Sequence, residues 1–168
     1  MDSRLRGNDR LKGGDQVTNP TAARLLAQNR LAKQYLSPLP LEHRPQDVTA
    51  GYALQARTHA ELASVLGDIA GHKIGCTTEV MQRFLNISHP CAGGIFAKTV
   101  HQRSALVRHG DFVRPGIECE IVVLLEKDSA APAQPYTKET VADAVGAMAA
   151  GIEIVDERYT DFKALGTP

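Results

Sequence analysis

The sequence feature that most restricts the fold is a pair of glutamates one residue apart, Glu118 and Glu120, at the start of a long apolar run. On a β-strand alternate side chains share a face, so both carboxylates would point the same way, with their Cα atoms roughly 6.6 Å apart. Two like charges on one face are costly unless a positive charge compensates them. A hard divalent cation such as Mg²⁺ or Mn²⁺ is the simplest compensation. The alternative is a solvated face of an edge strand, since a lone Glu-x-Glu is common.

The residues after the glutamate pair predict a buried strand. Every position from Ile121 to Leu125 is apolar, as in a strand that is covered on both faces. Cys119 lies between the two glutamates and would point to the opposite face, into the core. Carboxylates at the mouth of a buried strand would be well placed to form a site.

Three further residues are considered for the same site, two acids and a lysine. Glu153 lies inside a second apolar segment and is a candidate metal ligand. Alternatively, it forms a structural ion pair with Arg158 or another arginine. Asp156, three residues further on, is the other acid that could serve as the ligand. Three carboxylates from two strands would suit a Mg²⁺ ion that keeps several waters. Lys73 lies between two glycines. One interpretation is a surface lysine whose aliphatic stem is buried. The other is a lysine near a metal site, where it would bind a substrate carboxylate or move a proton.

Composition restricts the class of protein. The chain has 168 residues, enough for one domain, and a formal net charge of zero, which argues against nucleic acid as a partner. Three cysteines without zinc spacing favour reduced thiols and a cytoplasmic location. No apolar run is long enough to span a bilayer, so we expect no membrane partner.

The order of patterns along the chain predicts an α+β fold. Residues 1–16 are polar without periodicity, and we expect a disordered and spurious extension before a domain at 17–168. Residues to about 70 are predicted to be helical, with mixed structure after them. The predicted segments are a helix ended by Ser37–Pro40, a helix over Asp47–Leu66, a strand at Gly71–Cys76, a short helix capped by Thr77 or Thr78, a loop at Ser88–Gly94, a surface loop at Ser129–Pro135, a helix from Thr137 to Gly151 and a strand at Ile152–Val155.

Three ordered blocks resemble the 2-keto-4-pentenoate hydratase family of the fumarylacetoacetate hydrolase superfamily. The blocks are Gly71–Thr78, Val113–Ile121 and Ile152–Arg158, and Gly51–Gln55 upstream is also similar. The resemblance implies N-terminal helices followed by part of a mixed β-roll. It also implies Mg²⁺ or Mn²⁺ as cofactor, Glu118, Glu120 and Glu153 as metal ligands, and Lys73 as a catalytic or substrate-binding lysine.

The activity implied by the resemblance is addition of water to 2-hydroxypenta-2,4-dienoate in the breakdown of aromatic compounds. A homo-oligomer is implied as well. Many relatives carry an Asp-Phe pair before glycine in the loop that here reads Pro90-Cys91-Ala92-Gly93. They also continue well beyond the Glu153 block. We therefore expect an incomplete hydratase domain, ended early by truncation or frameshift. A related 2-oxo acid decarboxylase, a C–C hydrolase and a non-catalytic fragment are the alternatives.

Overall fold

A computed structural model describes residues 20–127 and 136–160 of the chain, which form an α+β fold. The predicted disordered segment at 1–16 and the predicted loop at 129–135 lie outside these residues, and the domain boundary at residue 17 stays a prediction. The elements in chain order are α1 (Pro20–Ala32), α2 (Val48–Leu66), β1 (Ile69–Gly75), α3 (Glu79–Leu85), β2 (Cys91–Phe96), β3 (Pro115–Leu125), α4 (Lys138–Ala142) and β4 (Val145–Asp156), with 3₁₀ turns at Leu41–His43, Ala97–Thr99 and His109–Asp111.

The helices α1 and α2 pack against each other and begin where the sequence indicates. Asp47 caps α2 by accepting a hydrogen bond from the Ala50 N–H, and Gly67 ends the helix at φ +82°. That backbone conformation favours glycine because a side chain is strained there. The buried residues form two small clusters, Ala22, Ala23 and Leu54 in one and Ala27, Leu62 and Phe96 in the other.

The strands β1 and β2 form an antiparallel hairpin with α3 in the connection. Thr78 is the residue that caps α3, accepting from the Met81 N–H. The predicted loop at Ser88–Gly94 is wrong in its second half, since Cys91–Gly94 is strand and pairs with Gly75–His72. Glycines are poor strand formers by themselves, and the partner strand overrides that weakness.

The strands β3 and β4 form a second antiparallel hairpin, separate from the first. The helix predicted from Thr137 ends at Ala142, and the residues from Val145 onward belong to β4 instead. The spacing of Val145 and Met148 is helical, and the pairing of these residues with Leu125 and Val123 overrides it. Long-range pairing of this kind is not visible in a local pattern.

The prediction that β3 is buried on both faces is wrong for the described residues. Ile121 is 72% exposed and Leu124 is 54% exposed, although they point to opposite faces. Cys119, predicted to lie in the core, is also exposed. The reason is that β3 pairs only with β4 in a two-stranded sheet, and such a hairpin has no interior of its own.

Within the described ranges, no helix combines the length and the apolar character that crossing a bilayer demands.

Candidate metal centre

The β3–β4 register brings three glutamates together on one face of the hairpin. Glu118 lies directly opposite Glu153, and Glu120 lies opposite Gly151. Residues directly opposite each other share a face, as do residues two apart on one strand. One carboxylate oxygen from each of Glu118, Glu120 and Glu153 lies within 4.8 Å of the other two. The three acids predicted from the sequence therefore form one cluster.

Lys73 reaches the cluster from the other hairpin. Its Nζ donates to the Glu153 carboxylate in an ion pair whose side chains are 38% and 26% exposed. Gly93 is the cross-strand partner of Lys73, and a Cβ at Gly93 would lie 3.4 Å from the Lys73 Cγ. The lysine stem therefore lies directly against the backbone at Gly93. The alternative prediction, an ion pair between Glu153 and an arginine, is wrong, because the partner of Glu153 is Lys73.

Asp156 lies outside the carboxylate cluster. Its Oδ1 accepts hydrogen bonds from the backbone N–H groups of Val113 and Arg114 at 2.9 and 2.8 Å. The carboxylate therefore fixes the segment that leads into β3. We assign Asp156 to positioning the hairpin and leave it out of the candidate ligand set.

The cluster combines three negative charges with one positive charge. Glu118 and Glu120 are exposed and Glu153 is half-buried. Clustered carboxylates repel one another unless a cation lies between them. An all-oxygen set of three carboxylates on a partly open face could hold a hard divalent cation that keeps some of its waters.

A second group of polar residues was not predicted from the sequence. Arg30, His59 and Arg158 line a cavity between the helices and the first hairpin. They come from α1, α2 and the segment after β4, so no local spacing links them. Only the fold brings them together.

Comparison with known proteins identifies relatives. A 2-keto-4-pentenoate hydratase of Paraburkholderia phymatum is 34% identical over 152 residues, which are 88% of this chain and 55% of that protein. The 2-hydroxyhexa-2,4-dienoate hydratase of Comamonas testosteroni is 30% identical over 131 residues, covering 76% of this chain and 48% of that protein. No protein-family model matches the chain. Most of the chain is therefore similar to curated 2-keto-4-pentenoate hydratases.

The chain spans about half the length of the curated hydratases that it matches. Its fold is similar to that of a 4-oxalocrotonate decarboxylase from Pseudomonas putida G7, complexed with magnesium and adipate. The TM-score is 0.75 at 19% identity, over 86% of this chain and 54% of the decarboxylase. The α+β fold expected for this family is therefore confirmed.

Proposed function

We propose that the chain is a divalent-metal-dependent hydratase that adds water to 2-hydroxypenta-2,4-dienoate. The observation that carries this proposal is the convergence of Glu118, Glu120 and Glu153 beside Lys73 in a chain that is similar to curated hydratases. The substrate is a small 2-hydroxy or 2-oxo dienoate, and the setting is cytoplasmic breakdown of aromatic compounds. The names of the related hydratases support this substrate class.

The residues present fit a hard divalent cation. Glu118, Glu120 and Glu153 supply only carboxylate oxygens, and these are the ligands that Mg²⁺ and Mn²⁺ prefer. A bound cation would supply a Lewis acid that stabilises negative charge on the 2-oxygen and the carboxylate of the substrate. The magnesium in the structure of the related decarboxylase supports the same class of ion.

Lys73 is the residue that we assign to proton transfer. Its Nζ lies at the edge of the carboxylate cluster and is held there by Glu153. Conversion of the dienol to the unsaturated ketone moves a proton from the 2-hydroxyl to C5. Addition of water then places hydroxide on C4 and a proton on C3. A positioned Nζ can donate and accept these protons, a contribution of typically about 10²–10⁴-fold in rate.

The proposal is tested with purified chain, Mg²⁺ and 2-hydroxypenta-2,4-dienoate. We expect loss of substrate absorbance that depends on metal, with 4-hydroxy-2-oxopentanoate as the product by NMR. Absence of turnover together with absence of metal binding would refute the proposal. Metal binding without turnover would leave the chain as a non-catalytic metal-binding relative of these hydratases.

A decarboxylase is the second candidate, because the fold neighbour is a 4-oxalocrotonate decarboxylase. The two activities are separated by the product, since decarboxylation releases carbon dioxide and hydration does not. Release of carbon dioxide from 4-oxalocrotonate, without hydration of the dienoate, would favour this second candidate.

A further inference from the structure

A cavity of about 820 Å³ lies on the helical side of the β1–β2 hairpin. Its walls come from α1, α2, β2 and the segment after β4, and they include Arg30, Tyr52, His59, Gly94 and Arg158. The three clustered glutamates and Lys73 are not among its lining residues. The cavity therefore borders the proposed metal centre at Gly93, the cross-strand partner of Lys73, without sharing its charged residues.

The charge that faces this cavity is positive. Arg30, Arg44 and Arg158 line it, and among the described residues no aspartate or glutamate does. Within the described ranges, the guanidinium groups of Arg30 and Arg158 form no ion pair with a carboxylate. Arg44 is engaged instead, since its Nε donates to the Leu39 carbonyl. Two arginines thus remain available to an anion.

The positive charge affects the pKa values of Arg30 and His59. The Arg30 guanidinium lies 5.0 Å from the Phe96 ring centroid. Burial lowers the pKa of Arg30, Arg158 lowers it further, and Asp156 acts in the opposite direction. Burial also lowers the pKa of His59, with further contributions from Arg30 and His72. Half-buried cations of one sign are costly, and an anionic ligand would remove that cost.

The rest of the lining is largely apolar. Leucines contribute from α1, α2, α3 and the segment between α1 and α2, and the set is Leu26, Leu36, Leu39, Leu54, Leu62 and Leu85. A ligand that satisfies both parts of the cavity has a charged end and an apolar body. Pockets of this size with a few convergent polar groups are typical of small-molecule sites.

We propose that this cavity binds a small organic carboxylate with an apolar body, its carboxylate held by Arg30 and Arg158. The planar guanidinium matches a carboxylate through paired N–H groups. The apolar body of the ligand would lie along the leucines. This site is separate from the hydratase reaction and takes its ligand without a metal.

The test is calorimetric titration of the chain with hexanoate in EDTA, with hexanol and inorganic phosphate as comparison ligands. We expect hexanoate to bind and both comparison ligands to bind at least about tenfold more weakly, because each lacks one of the two features. Arg30→Met and Arg158→Met should each weaken hexanoate binding by about tenfold or more. Arg83→Met is the matched control, since Arg83 is exposed and pairs with Glu79 on α3.

Equal binding of hexanol or phosphate, or unchanged affinity in both arginine variants, would overturn the proposal. Folding of each variant is checked by circular dichroism. Where a variant fails to fold, the parental chain decides, because hexanoate affinity must fall as NaCl rises; affinity independent of salt would contradict the site. Glu118→Gln should bind hexanoate normally in EDTA, which separates this site from the metal centre.

Discussion

Lys73 connects the two hairpins at the scale of single residues. It belongs to β1, yet its Nζ pairs with Glu153 on β4. The same carboxylate is a candidate metal ligand, so the lysine and a bound cation compete for its charge. Phe96 connects β2 to the two helices. It is 1% exposed, and its ring contacts Arg30 on α1 and His59 on α2.

Removal of the Lys73 charge should separate metal binding from turnover. In Lys73→Gln we expect Mn²⁺ to bind at least as tightly as in the parent, because Glu153 loses its competing cation. Turnover should fall by about 100-fold, as expected when a proton-transfer group is lost. Lys138→Gln, at an exposed lysine on α4, is the control and should leave both quantities unchanged. Unchanged turnover in Lys73→Gln would refute the assigned role.

His59 should make the stability of the chain depend on pH. Its pKa is lowered, chiefly by burial and then by Arg30 and His72, so the unfolded state binds its proton more readily than the folded state. The stabilisation is therefore present above the unfolded pKa of about 6.5 and is lost as pH falls below it. We expect the melting temperature to fall between pH 7.5 and 5.5. His59→Gln should flatten this dependence, and an equally steep dependence in the variant would be contrary to the account.

At the scale of elements, the hairpins depend on glycines at particular cross-strand positions. A Cβ at Gly94 would lie 2.6 Å from the Ile69 Cδ1 and 2.9 Å from the His59 Cε1, whereas a Cβ at the adjacent Gly93 would meet the Lys73 Cγ at 3.4 Å. The first distance is too short for two carbon atoms. A Cβ at position 94 would therefore force the ends of the Ile69 and His59 side chains to shift.

Gly94→Ala should destabilise the chain by about 1–3 kcal/mol, the usual cost of overpacking. Gly93→Ala, one residue away on the same strand, should change stability by less than about 1 kcal/mol. The measurement is urea unfolding followed by circular dichroism. Equal effects of the two substitutions would show that the close approach at Gly94 does not limit packing.

Local sequence patterns predicted some of these elements and not others. Capping residues such as Asp47 and Thr78 predicted their helices because a cap acts on neighbours in sequence. The alternation around Glu118 predicted a strand for the same reason. The strand at Cys91–Gly94 and the start of β4 at Val145 were missed, because each forms by pairing with a distant segment. The glutamate cluster was predictable in its members, whereas the basic cavity was not.

At the scale of the whole molecule, the uneven distribution of buried surface is the main feature. The helices and β2 enclose the buried residues, while both faces of the β3–β4 hairpin are largely open in the described ranges. Ile117, Ile121 and Ile152 share one face and are each more than 60% exposed. Exposed apolar strands of this kind favour association with another chain.

We therefore expect the chain to self-associate in a concentration-dependent manner. Sedimentation velocity should show a rising mean mass between low and high micromolar concentration. Ile121→Lys and Ile152→Lys each place a charge on the open face and should shift the chain toward monomer. Val80→Lys, at an exposed position on α3, is the control. A parental chain that stays monomeric over the whole range would contradict this expectation.

Binding of Mn²⁺ tests the metal centre without relying on turnover. It is followed by the loss of the electron paramagnetic resonance signal of the free hydrated ion. The parental chain should bind the ion, because Glu118, Glu120 and Glu153 converge within 4.8 Å. Glu118→Gln should abolish binding, whereas Glu126→Gln, at an exposed glutamate just beyond β3, should retain it. Absence of binding by the parent, or equal binding by both variants, would contradict a metal centre at this cluster.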